Sequence, residues 1–384
     1  MREKIFNTII IIISLFILIE LLIKKQIIYY SILYALNMWV KNLIPALFPF
    51  FIISDILINY NIVIYIPKAI RVFLKKIFNI NDNLLTIFIL SMISGFPSNA
   101  RNARTLYDKG LINVTEANHI LIFSHFANPV FILTIVGLFF LNNKRIGIIL
   151  LLTHYISNII LGICFRKNNI FNDITINSMS FKNNFSIIFI NSVKRAIDTI
   201  LLICGILVIF LMLSAIIINI FDFNDYNIMI VKGIFEITIG IEALGRLDIA
   251  MKYKAVISSM FLAFGGISVH MQVISQITDT KIRYIYFLMG RMYQMIIAGI
   301  LTYFICLILG IWKVHYVYFY LTWTFLSSVV VSPFELVTEY IIRFKPFFDV
   351  STVPCTVTLF VISPSVISTA LSIPGSLNVS PTFI

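Results

Sequence analysis

The chain has 384 residues, of which 60% are hydrophobic and 12% charged, with a mean hydropathy of +0.98. That balance excludes an ordinary water-soluble domain and points to a polytopic membrane protein. The formal net charge of +12 is spread over many short loops instead of one dense patch, so nucleic acid is not an expected partner and the lipid bilayer is.

Taken in chain order, the clearest apolar runs cover 5–23, 119–141, 146–164, 196–220 and 284–311, each near the roughly 20 residues that cross a bilayer core. Shorter or interrupted runs cover 43–58, 84–93, 228–244, 256–277 and 316–331. The pattern predicts eight to eleven membrane segments and an all-α transmembrane helix bundle. Arg2 and Lys4 precede the first run, as in a signal peptide, but Glu20, Lys24 and Lys25 follow it where a small-residue cleavage site would stand; an uncleaved first helix over 1–30 is expected. Lys68, Arg71, Lys75 and Lys76 compete with Arg166, Lys167, Lys182, Lys194 and Arg195 for the cytoplasmic side, which leaves the orientation open. The cysteines, Cys164, Cys204, Cys306 and Cys355, are isolated and form no metal or redox spacing.

A polar, Asn-rich linker over 166–195 separates a first membrane half (31–165) from a second (196–335), and a Pro-, Ser- and Thr-rich tail covers 336–384. The halves share an order of events. Each has a long apolar helix, then a short apolar run interrupted by glycine, at Ser94-Gly95-Phe96-Pro97-Ser98 and at Phe264-Gly265-Gly266-Ile267-Ser268, then a polar linker and another helix. Hydrocarbon offers the backbone no hydrogen-bond partners, so broken or re-entrant helices persist only where they are buried in protein or line a wet cavity. Matched breaks in two halves are a pointer to a transporter's substrate site, and ordinary helix ends are the competing reading.

The candidate solute-contacting residues follow from these breaks. In the first half they are Gly95, Pro97, Ser98, Asn99 and Arg101: glycine allows the turn, proline starts a helix, and the free N–H groups beyond favour an anion. Asn128 precedes Pro129, which frees a carbonyl one turn back. Glu236 is a carboxylate in an apolar stretch, where acids mark cavities, ion paths or paired cations. Gly265 and Gly266 permit close backbone approach, Ser268 and Gln272 share a face, and His270 lies on another. His119 and His125 are on roughly opposite faces of one helix and make a poor metal pair. No metalloprotease, nucleophile-elbow, P-loop, dinucleotide or EF-hand pattern occurs, and Asp55 and Asp198 lack the surroundings of an intramembrane protease, so no enzyme activity, cofactor or metal is expected.

The stretches 43–50 (LIPALFPF), 94–98 (SGFPS), 127–131 (ANPVF), 236–240 (EITIG) and 264–272 (FGGISVHMQ) together resemble the bacterial sporulation integral membrane protein YlbJ family, related to the nucleoside-recognition Gate membrane domains, over roughly 30–335. Asn99 stands where a small glycine is commoner in that family. The resemblance implies a role in spore formation in a low-GC Gram-positive bacterium and permease-like transport of a small solute; a coupling cation and a second copy of the chain are further candidate partners. A membrane scaffold for spore cortex or coat assembly is the alternative.

Overall fold

A computed structural model describes residues 2–167 and 184–311; the expected segment 316–331 and the tail lie outside them. Every regular element among the described residues is helical. The chain is a multi-pass membrane protein in which six helices, Lys4–Ile23, Lys25–Asn59, Lys144–Cys164, Phe185–Ile220, Met251–Ile277 and Tyr284–Ile308, are long and apolar enough to cross a bilayer. The expected runs 5–23, 146–164, 196–220, 256–277 and 284–311 fall on five of these. The sixth, Lys25–Asn59, extends the expected run 43–58 back into the expected first helix 1–30, which ends at Ile23, and the runs 84–93, 119–141 and 228–244 fall on shorter helices.

The elements are α1 (Arg2–Ile23), α2 (Lys25–Met38), α3 (Ile44–Asn59), α4 (Lys68–Phe78), α5 (Asp82–Ser94), α6 (Ser98–Asp108) and α7 (Val114–Phe123). A π-helix, Phe131–Phe140, precedes α8 (Lys144–Cys164) and α9 (Phe185–Ile220), which begins inside the expected linker 166–195. Then come α10 (Asp225–Phe235), α11 (Ile237–Arg246), α12 (Met251–Phe264), α13 (Gly266–Ile277) and α14 (Tyr284–Ile308). Local chemistry sets many of the starts. Asn81, Asn113, Asn143 and Asn224 each accept a backbone N–H from the first turn of α5, α7, α8 and α10. At α7 the cap is Asn113, one residue before the helix, and Glu116 completes a capping box. α4 is a basic amphipathic helix bent 97° from α5, with Arg71 and Lys75 paired to Asp82.

Contacts at the helix ends fix which way each runs. On the α4 face, Lys109 donates to Asn59 Oδ1 at 3.0 Å, Arg104 to the Gln276 carbonyl at 3.4 Å, and the Arg283 amide to Asn118 Oδ1 at 2.7 Å. Asn79 donates to the Lys167 carbonyl there. On the opposite face Lys254 donates to the Gly245 carbonyl at 2.7 Å, and Gly245 lies against the Phe140 carbonyl. The chain therefore enters α5 from the α4 face, turns at Gly95 and returns to that face through α6. It crosses by α7 and the π-helix and returns by α8. The second half repeats this upside down: α9 crosses, α10 and α11 form a hairpin from the opposite face, α12 and α13 cross back, and α14 crosses again. This is an inverted-topology repeat.

The half-helices have 10 to 14 residues, or about 15–21 Å at 1.5 Å per residue, so all four breaks fall near mid-depth of a core about 30 Å thick. The α4 face carries Lys68, Arg71, Lys75, Lys76, Arg104, Lys109, Arg166, Lys167, Lys281 and Arg283, against Lys24, Lys25, Lys144, Arg145, Arg246, Lys252 and Lys254 opposite. The positive-inside rule assigns the α4 face to the cytoplasm.

Candidate functional site

Four interruptions meet in the middle of the bundle. The first is Gly95, with φ +77° and ψ 179°, followed by a cis Phe96–Pro97 bond. The second is the non-helical stretch 124–128, between Phe123 and Pro129. The third is Glu236, whose extended backbone turns α10 into α11. The fourth is Gly265 and Gly266, at φ +91° and +68°.

The breaks pack in pairs, and the pairs differ from the sequence expectation. Gly95 and Gly265 were matched as equivalent, but element order makes the α5–α6 turn equivalent to the α10–α11 turn, and the Asn128 break equivalent to the Gly265 break. In the first half a Cβ on Gly95 would lie 2.7 Å from the Asn128 nitrogen. In the second a Cβ on Gly266 would lie 3.3 Å from Glu236 Cα. Each half thus presses a glycine against a polar residue of its own other break. Asn128 donates to the carbonyls of Ala46 (3.1 Å) and Ile93 (3.2 Å), and its Oδ1 accepts from the amides of Val130 (2.8 Å) and Phe131 (3.3 Å). Glu236 caps α11 by accepting from the amides of Thr238 (2.8 Å) and Ile239 (3.0 Å) and from the Thr238 hydroxyl (3.0 Å).

Phe96, Asn128, Glu236, Thr238, Val269 and Gln272, one or more from every break, line a central cavity of about 20 Å³ closed by Ala46, Leu47, Ile203 and Leu207 of α3 and α9. That is room for about one water. Two larger spaces flank it along α9. An inner vestibule of about 520 Å³ reaches Thr199 and Leu202 and is lined by Arg101, Arg104, Lys109, Arg195 and Gln276. An outer one of about 1020 Å³ reaches Leu211 and Ser214 and is lined by Tyr34, Lys232 and Glu242. Leu202 adjoins Ile203, and Leu207 lies one turn from Leu211, so the three spaces follow one another along α9.

At the inner vestibule, Asp55 of α3 is 2% exposed. It faces Arg195 of α9 at 2.9 Å and Arg101 of α6 at 3.6 Å, and accepts from Ser192 at 2.7 Å. Arg101 also lies over the Phe51 ring. Burial and the nearby Arg195 charge hold the Lys109 ammonium below the usual lysine range.

The sequence reading missed Arg291 of α14, which is fully buried. It donates to the carbonyl of Ile122 (3.0 Å) and to Gln294 Oε1, with longer contacts of 3.4 Å to the His125 carbonyl and Asn158 Oδ1. Asn158 donates to the same His125 carbonyl at 2.6 Å, and the Ala127 amide donates to His154 Nε2 at 2.9 Å. These side chains satisfy backbone groups that the second break strips from a helix. No carboxylate pairs with Arg291 among the described residues. A charged residue inside an apolar run was the available signal.

The candidates divide accordingly. Asn128, Glu236 and Gln272 line the central cavity, with Gly95, Gly265 and Gly266 packed behind it against Asn128, Val269 and Glu236; Pro97 and Ser98 shape the first turn, where the Ser98 hydroxyl donates to the Gly95 carbonyl. Asn99 and Ser268 are sealed in the first turns of α6 and α13. Arg101 faces the inner vestibule instead of the turn. His270 is turned away from the cavity: its Nδ1 bonds the Tyr284 hydroxyl at 2.7 Å and its Nε2 the Phe264 carbonyl at 2.9 Å, finishing α12 as Arg291 finishes α7.

Over 303 aligned residues the chain is 25% identical to the sporulation integral membrane protein YlbJ of Bacillus subtilis (strain 168), an alignment covering 69% of this chain and 74% of that relative. The chain resembles the YlbJ family. No family model matches it, and no solved structure does. The YlbJ similarity and the helix architecture agree on a multi-pass membrane protein.

Proposed function

We propose that this chain is a sporulation-associated secondary transporter that moves a small solute through the cleft beside α9, with its site where the four breaks converge. The single observation that carries the reading is the inverted pair of half-depth hairpins and broken helices, whose interruptions all reach one cavity. Such interruptions expose backbone groups that no fully helical bundle needs to provide, and they survive at membrane depth only where protein or a wet site satisfies them. Vestibules on both sides of a closed centre fit alternating access. The sporulation role rests on the printed name of the B. subtilis relative.

The test is uptake into liposomes holding the purified chain, with labelled nucleosides, amino acids and small carboxylates as the panel. One class should accumulate above empty liposomes, and Gln272→Ala, a cavity-lining change, should reduce that uptake at least about tenfold through lost binding or positioning. If the panel stays outside and Gln272→Ala fully restores spore formation in a strain lacking its own copy, the scaffold alternative takes over.

A further inference from the structure

The helix α4 has the two-sided pattern of an element that lies in a membrane surface. Ile70, Phe73 and Ile77, three and four residues apart, share one face, and Lys68, Arg71 and Lys75 share the opposite one, with Lys76 on its flank. Its position agrees with that pattern. α5 has 13 residues, so it runs about 20 Å from the mid-depth break at Gly95 to Asp82, past the half-thickness of about 15 Å and into the headgroup layer. The 97° bend at that point lays α4 across the membrane normal.

The bundle holds this helix by its C-terminal end and leaves one flank bare. Phe78 is buried against the rings of Phe88 (4.8 Å) and Phe123 (5.6 Å) and against Gly162 of α8. Arg71 and Lys75 reach Asp82 across the bend at 3.9 and 3.3 Å, and Asn79 donates to the Lys167 carbonyl. Ile70 and Phe73, by contrast, are 50% and 63% exposed, and the segment leading into α4 exposes Ile64 and Tyr65 as well. At headgroup depth an apolar face of this kind sinks about 5–10 Å into the boundary between headgroups and acyl chains.

The charges select the headgroup. The bond from Asn79 brings the end of α8 beside the last turn of α4, so Arg166 and Lys167 join Lys68, Arg71, Lys75 and Lys76 in one basic belt. The acids packed with it are Asp82, which Arg71 and Lys75 share, and Glu116, which is buried and accepts from Asn81 and from the Asn113 amide. Six cations less these two carboxylates leave a charge of +4. Zwitterionic lipid would leave that excess uncompensated, whereas a cluster of about four to eight Lys and Arg beside a membrane is matched by anionic headgroups.

We infer that α4, together with Arg166 and Lys167 at the end of α8, is a docking surface for anionic phospholipid. Ile70 and Phe73 lie among the acyl chains, while Lys68, Lys76, Arg166 and Lys167 hold lipid phosphates. The inference is independent of the transport reading, and its test needs no flux.

The experiment is native mass spectrometry of the full chain, released from detergent micelles that contain phosphatidylglycerol or phosphatidylcholine with the same acyl chains. Phosphatidylglycerol should be retained at concentrations at least about tenfold lower, since each basic residue near an anionic surface contributes a factor of about five. Lys68→Gln, Lys76→Gln, Arg166→Gln and Lys167→Gln together should remove most of that preference. Lys24→Gln, Lys25→Gln, Lys144→Gln and Arg145→Gln together, on the opposite face, should preserve it. None of the eight residues is buried, so both variants should fold, and their thermal transitions check this. Inorganic phosphate at the same concentration should not displace the lipid, because the apolar face contributes to binding. A second measurement reads depth in phosphatidylglycerol liposomes: in a cysteine-free background, lipids brominated in mid-chain should quench bimane attached in the Phe73→Cys variant more strongly than in the Lys76→Cys variant. Equal retention of the two lipids, equal loss in both four-charge variants, displacement by phosphate, or equal quenching at the two positions overturns the inference. So does a dimer mass that Phe73→Ser dissociates, which would give the face to a second copy of the chain.

Discussion

Replacing Gly95 by alanine tests the central packing most directly. The residue sits at φ +77° and ψ 179°, a region occupied almost only by glycine, and a side chain there costs about 1–3 kcal/mol in backbone strain. The new methyl would also stand 2.7 Å from the Asn128 nitrogen, 2.8 Å from its Cβ and 3.0 Å from its Cα. Asn128 cannot retreat freely, because its amide is tied to the Ala46 and Ile93 carbonyls. Overpacking of this kind adds about 1–3 kcal/mol, for a total loss of about 2–6 kcal/mol from the two contributions together. Gly110 is the internal control: its φ is +68° but a Cβ would meet nothing within 4 Å, so Gly110→Ala should show only the strain, about 1–2 kcal/mol. Equilibrium unfolding in mixed micelles of rising SDS fraction reads both. Equal losses in the two variants would refute the contact between the Gly95 turn and Asn128, and with it the convergence of the first two breaks.

Three further outcomes are expected. Arg291→Met should cost at least about 2 kcal/mol in the same assay, because the carbonyls of Ile122 and His125 lose a charged donor inside the bundle; Arg291→Lys should rescue only part, since an ammonium lacks the planar fork that spans several acceptors. Asp55→Asn should cost about 3 kcal/mol by leaving two arginines without their anion, the low end of the range because Arg195 is 41% exposed. Asp108→Asn, which breaks an exposed pair with Arg104, should change stability little; similar losses in the two would show that the Asp55 cluster is not buried as described. In a cysteine-free background, a membrane-impermeant maleimide applied to intact cells should label Lys144→Cys and should reach Asp279→Cys only after permeabilisation. The reverse pattern would overturn the orientation.

Much of this was legible in the sequence because hydrocarbon constrains composition and because glycine and proline punctuate helices. The apolar runs gave the long helices, and Gly95 and Gly265 announced two breaks. The third break carries no such punctuation: Glu236 turns the chain alone. Its trace is Gly233 and Gly240, where a Cβ on Gly240 would fall 2.2 Å from Gly233 Cα, so that the two helices of the hairpin can touch. The second break was visible as Asn128-Pro129, which fits a polar lining or a kinked helix equally, since nothing local shows that Arg291, Asn158 and His154, 26 to 163 positions onward, hold its stripped backbone. Helix direction depends on contacts between distant ends, such as Lys109 with Asn59, and this is why the breaks were first paired by appearance and not by topology. His270 shows the converse limit: residue type suggested a ligand contact, while the carbonyl at the end of α12 claimed its ring.

The upside-down relation between the two halves has a consequence for energetics. Any shape in which one half adopts arrangement X and the other arrangement Y has a counterpart with X and Y exchanged, and that counterpart opens toward the other side of the membrane. Perfect symmetry would make the two equally populated. Here the halves hold their breaks with different chemistry, a neutral amide at Asn128 and a carboxylate at Glu236, so under the proposed transport reading the resting preference for one side follows from those differences. A few kcal/mol between them is enough to fix which side waits open.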